Sequence, residues 1–148
     1  AKYAGRNGLT LMLVTLLLIS IIGVSYISQT RGVETAQYTE LYVLGPNGQA
    51  GHYPTNLSAG EEGTIIVGVE NHEKSQQAYT LIIRFDDKII RSNEPSLEIG
   101  GTWEEPISLS SSTTGNHSLR IQLYMGKDAA ISGPPYRELR LRIRVTES

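Results

Sequence analysis

The chain holds three histidines, His52, His72 and His117, and no cysteine. A structural or catalytic zinc site wants ligands at short spacing, such as two histidines at i and i+4 on a helix or paired cysteines. These histidines lie in separate segments instead, so they read as loop or surface residues and no metal site is expected. The acidic doublets Glu61-Glu62, Asp86-Asp87 and Glu104-Glu105 offer paired carboxylates, yet none follows the D-x-D-x-D-G order of a calcium loop. Each falls where a hairpin turn is expected and reads as a turn. There is no G-x-S-x-G elbow, and the glycines precede no helix with the lysine of a phosphate loop. No catalytic residue, no metal and no cofactor are therefore expected.

Two N-x-[ST] triplets carry the remaining chemistry. Asn56-Leu57-Ser58 lies in the loop LGPNGQAGHYPTNLSAGEEG, and Asn116-His117-Ser118 closes the hydroxyl-rich run SLSSSTTGNHS. On an exported domain both are expected glycan acceptors on exposed loops, with Asn56 and Asn116 as the attachment residues. Within the first loop, Pro46-Asn47-Gly48 suits a tight turn and Tyr53-Pro54 an extended dipeptide.

Fifteen acidic residues all lie beyond Arg31, where ten basic ones accompany them, so that part of the chain carries 10 − 15 = −5. Phosphate binding needs clustered Lys and Arg, and this balance argues against a nucleic-acid partner. With 148 residues, the chain has room for one domain of the usual size, roughly 100–150 residues. Without cysteine, that domain must hold by pairing and packing alone.

The first thirty residues differ from the rest. From Asn7 to Thr30 there is no charge, and residues 9 to 27 read LTLMLVTLLLISIIGVSYI. A helix of about 20 such residues spans a bilayer core. Its apolar residues cover every direction, and a helix apolar all round must be buried all round, in lipid or among other helices. Leu11, Leu13, Leu16, Leu17, Ile19, Ile21 and Gly23 are the expected packing positions, with Ser20, Ser25 and Ser28 as further points of close approach. Lys2 and Arg6 before the run and Arg31 after it place the N-terminus on the cytoplasmic side. A cleavable secretory signal fits less well, because the run is long and lacks an A-x-A site.

Beyond Tyr38 the pattern turns to short alternating runs. Expected strands are 38–44, 64–70, 79–85, 88–91, 96–99, 105–109, 117–125 and 137–145, with Gly, Pro, Asn and Asp between them. Strands at spacings near ten residues with such turns imply an all-β sandwich. RELRLRIRV alternates strictly, so Leu139, Leu141, Ile143 and Val145 face the core while Arg140, Arg142 and Arg144 face outward. Its expected partner is HSLRIQLYM, and acids on a neighbouring strand are expected to balance the arginines. The division expected is a hydrophobic helix over 1–31 and an extracytoplasmic sandwich over 32–148.

YTELYVLGPNG, YPTNLSAGEEGTIIVGVENHE and PYRELRLRIRV resemble the archaeal membrane-protein family called domain of unknown function 1616, over most of residues 37 to 146. The resemblance implies an immunoglobulin-like extracytoplasmic sandwich and supplies no catalytic residue. Longer relatives carry several membrane helices before this domain, whereas this chain has one. The layout of a single apolar helix before a β-sandwich also resembles archaeal pilins and archaellins. The functional expectation is thus a non-enzymatic cell-surface protein that self-associates into a filament, helices inside and sandwiches outside. The alternative is a single-pass anchored module that binds a surface or the cell wall, presenting an aromatic cluster such as Tyr53, Trp103 and Tyr136.

Overall fold

A computed structural model describes the backbone over residues 4–30, 36–129 and 133–148, and side-chain surroundings over 7–22, 36–129 and 133–148. The chain divides into two units, Ala1–Ala36 and Gln37–Ser148. The domain boundary expected at 31/32 lies outside the described residues.

The first unit is a helix, α1 (Ala4–Thr30, 27 residues), about 40 Å long at 1.5 Å per residue. Every described apolar side chain on it is exposed, from Leu11 at 72 % and Leu16 at 51 % to Ile22 at 68 %. Leu13, Leu17, Ile19 and Ile21 of the expected packing set are among them. Gly23, the seventh, lies in the helix but outside the residues whose surroundings are described, as do Ser25 and Ser28. Among the described residues no helix is long and apolar enough to cross a membrane. The expected bilayer-spanning length is therefore not met by residues 7–22 alone.

The second unit is a two-sheet sandwich. Its strands are β1 (Thr39–Leu44), β2 (Asn56–Ser58), β3 (Gly63–Asn71), β4 (Gln77–Phe85), β5 (Lys88–Asn93), β6 (Ser96–Leu97), β7 (Thr102–Leu109), β8 (Gly115–Met125) and β9 (Arg137–Thr146). One sheet runs β1-β3-β7; the other runs β2-β9-β8-β4-β5, with β6 beside β4. Alternate residues of both sheets meet in the core, among them Ile65, Val67 and Val69 from β3, Leu81 and Ile83 from β4, and Ile121 from β8, all fully buried. β8 and β9 are neighbours, as expected from the two alternating sequences, and their register sets Leu119 opposite Leu141 and Ile121 opposite Leu139.

Two expectations need correction. Neither sequon is a free loop: Asn56–Ser58 pairs in parallel with Arg144–Thr146 and Leu57 is buried in the core, while Asn116–Ser118 lies in β8 with His117 buried. One apolar residue between two polar ones was enough to dock the loop on the β9 edge. Glu104-Glu105 is no turn either, because β7 starts at Thr102 and carries both. In contrast, Asp86 and Asp87 do form the β4–β5 corner, with φ of 49° and 65°, a left-handed pair that Asp tolerates.

The chain turns from β3 to β4 around a buried side chain. Asn71 is fully buried. Its Nδ2 donates to the carbonyls of Ser75 (3.0 Å), Leu97 (3.0 Å) and Glu98 (3.1 Å), and its Oδ1 accepts from the Glu73 N–H at 2.9 Å. Nearby, the buried Tyr79 hydroxyl bonds Thr39 Oγ1 at 2.8 Å. Burial pushes the Tyr79 hydroxyl's pKa up.

Candidate functional site

The two outward faces of the sandwich carry opposite charge. On the six-stranded sheet, Arg84, Arg120 and Arg140 stand in one register row across β4, β8 and β9. Arg142 and Arg144 extend the row along β9, so five of the ten cations beyond Arg31 share this face. The expected acidic neighbour strand is not there. Balance comes instead from Glu138, which bonds Arg140, and from Asp87, 3.7 Å from Arg120. The bond from Arg140 holds the Glu138 carboxyl below its usual range, outweighing its burial.

The three-stranded sheet shows the reverse. Glu40 pairs directly with Glu70, and Glu104 stands one row on, opposite Gly68. Tyr42 lies flat across Gly68, where an added Cβ would come within 2.2 Å of its ring. Its hydroxyl donates to Glu104 Oε1 at 2.7 Å. Burial, then Glu104, Glu70 and Glu40, push the Tyr42 hydroxyl's pKa far up.

His72 completes the acidic face. Its N–H donates to the Tyr38 carbonyl at 3.0 Å, continuing the β1–β3 ladder. It stands two residues after Glu70 and therefore on the same face. Its ring stacks on Tyr38 with centroids 4.7 Å apart. His72 Nε2 then lies 3.5 Å from Glu40 Oε2 and 3.4 Å from Glu70 Oε1. One ligand atom from each of the three residues falls within 4.8 Å of the others. Short histidine spacing does not reveal this group, because Glu40 arrives through strand pairing. The legible signal was Glu70-x-His72 on one strand.

His117 sits in a second cluster with the atoms of a hydrolytic triad. Asp86 Oδ2 bonds its Nδ1, and Ser111 Oγ lies 3.4 Å from its Nε2. The same Nε2 also faces the Thr113 carbonyl at 2.7 Å, an acceptor that a ring nitrogen can only meet by donating. A nitrogen already donating to a carbonyl cannot take a serine proton. When protonated, the ring donates from both nitrogens, and the group is then a charged latch tying the 111–113 turn to the β4–β5 corner. Bonds from Asp86 and the Thr113 carbonyl raise the His117 pKa. Burial pushes Asp86 up, but bonds from His117 and the Ser118 N–H outweigh it and leave Asp86 lowered. Asp86 and His117 line two open clefts, one beside Lys88 and the other beside Arg140 and Arg142.

The sign of the pH dependence follows. A raised histidine adds stability that is complete below its ordinary value, about 6.5, and fades as pH rises through the folded value. A lowered aspartate adds stability present above about 3.9 and lost as pH falls through its folded value. Thermal midpoints are thus expected to plateau between about pH 4 and 6.5 and to decline on either side. Asp86→Asn should shrink the decline above pH 6.5; an unchanged profile in that variant would remove the latch.

The sequons and aromatics are placed as follows. The side chains of Asn56 and Asn116 are exposed. Both are register partners of the same residue, Arg144, one from each side, which sets them two strand spacings apart, about 10 Å. Tyr53 and Trp103 pack on the core, whereas Tyr136 is 41 % exposed, beneath the Arg137 guanidinium. Two of the three aromatics expected to form a binding cluster are thus spent on packing.

A family model described as Domain of unknown function (DUF1616) matches residues 33–144. No curated protein matches the chain. Among solved structures, the crystal structure of the CARDB domain of the PF1109 protein from Pyrococcus furiosus, in complex with di-metal ions, is similar. It has a TM-score of 0.59 at 8 % identity, covering 76 % of this chain and 90 % of that one. The solution structure of the same domain gives 0.56 at 11 % identity, over 76 % of this chain and 100 % of that one. A β-glucosidase from Listeria innocua in complex with isofagomine gives 0.54 at 12 % identity, but the match spans only 16 % of the enzyme and 74 % of this chain. At such identities the likeness is one of fold.

Proposed function

The chain belongs to the DUF1616 family, and from that premise we propose that it is a non-enzymatic cell-surface module, an extracytoplasmic β-sandwich held at the membrane by its apolar helix. The observation that carries this reading is α1, whose described apolar side chains are exposed in every direction. Water cannot cover such a surface cheaply, at about 25 cal/mol for each Å² of apolar area. The hydroxyls on the helix support lipid as the cover. Thr15 Oγ1 donates to the Leu11 carbonyl at 2.8 Å and Ser20 Oγ to the Leu16 carbonyl at 2.9 Å. Hydroxyls satisfied within their own helix need no neighbour to enter hydrocarbon. The charged outer faces of the sandwich then serve as the contact surfaces, and glycans on Asn56 and Asn116 would flank Arg144 on one of them.

A second reading is favoured by the opposed faces. An acidic face on one sheet and a basic face on the other allow head-to-tail stacking of copies, which yields an open polymer when the rotation does not close. The chain would then be a subunit of a cell-surface filament, with helices bundled inside. The test is fractionation of cells followed by electron microscopy of sheared material. Retention in carbonate-washed membranes, with release by detergent alone and no fibres, supports the anchored module. Fibres built of this chain overturn it in favour of the filament, and recovery in the aqueous fraction overturns both.

A further inference from the structure

We propose that Glu40, Glu70 and His72 form a surface zinc site that staples the start of β1 to the end of β3. Glu40 and Glu70 pair across β1 and β3, and His72 follows the end of β3 beside them. Two features distinguish the group from an ordinary acidic patch. First, an imidazole nitrogen faces both carboxylates at 3.4 and 3.5 Å, beyond the usual 2.7–3.2 Å of a hydrogen bond. The three side chains thus converge on one point with no hydrogen bond of ordinary length among them. Those separations are also the edge of a tetrahedron about an ion with 2.0–2.1 Å bonds, roughly 3.3–3.4 Å, which is the geometry of zinc with nitrogen and oxygen ligands. Second, the imidazole is already oriented, because the Tyr38 ring stacks on it and the His72 N–H is held by the Tyr38 carbonyl.

The donor set selects the ion. One imidazole and two carboxylates suit zinc better than calcium or magnesium, which prefer oxygen alone. Side chains from about one third to one half exposed leave room for entry and for a water as fourth ligand. A bound cation would also relieve the repulsion of two carboxylates directly opposite each other.

The experiment is calorimetric titration of the full chain in detergent with zinc chloride, repeated with cobalt, whose tetrahedral complexes absorb strongly in the visible. One ion per chain is expected, with a rise in the thermal midpoint on zinc addition. His72→Ala and Glu40→Gln should each weaken binding by at least roughly tenfold and abolish the cobalt band, while His52→Ala leaves both unchanged. Their midpoints without zinc report whether they fold. No saturable binding by wild type, or binding undiminished in folded His72→Ala, overturns the site.

Discussion

Asn71→Ala is expected to lower the thermal midpoint of the sandwich by about 10–15 °C, measured by circular dichroism at the strand signal. The substitution deletes an amide that serves three carbonyls and one N–H; the bond to the Leu97 carbonyl is buried and the other three are part-buried. An orphaned buried polar group costs about 1–3 kcal/mol. With several orphaned at once and partial relaxation, about 3 kcal/mol is the reasonable sum, and for a domain of this size each kcal/mol moves the midpoint by roughly 4–5 °C. Asn71→Asp should also be severe, because the carboxylate keeps the acceptor for Glu73 but cannot donate to the Leu97 and Glu98 carbonyls. Were both variants to melt within a degree or two of the parent, the corner would be held by backbone pairing instead.

On the anchored reading proposed above, Leu16→Lys with Ile19→Lys is expected to move the chain from the membrane fraction to the aqueous fraction. Both side chains are more than half exposed near the middle of the apolar run. A lysine at the centre of a membrane helix costs about 2.5–3.5 kcal/mol and each lost Leu or Ile forfeits about 0.5 more. Two substitutions therefore cost about 6–8 kcal/mol, a factor of ~10⁴–10⁶ in partitioning. Leu16→Phe with Ile19→Phe keeps the surface apolar and should leave the distribution unchanged. Equal membrane retention of the lysine and phenylalanine pairs would show that the helix is not what holds the chain there. The sandwich folds around its own core, so its melting should be unaffected by either pair.

The two substitutions act on features of different legibility. The oily helix and the alternating strands are local patterns: apolar residues in all directions, or at every second position, state what each segment must bury. RELRLRIRV and HSLRIQLYM showed their own facing by this means, and the Asp86-Asp87 corner was legible from its turn chemistry. The strand at Asn56–Ser58 escaped because three residues give too short an alternation, and only the edge of β9 makes them a strand.

By itself, then, the sequence determined an all-β body with a net negative charge behind a helical N-terminal segment, since these follow from composition and period. Tertiary structure alone decided which residues meet. Register brought Glu40 to Glu70 and His72, gathered Arg84, Arg120 and Arg140 into one row, and set both sequons beside Arg144. It also closed Asp86 onto His117, 31 positions away. The physical reason is that a sheet joins segments through backbone bonds that carry no side-chain label. Their partners are chosen by the whole core at once, and the chemistry on the outer faces follows from that choice.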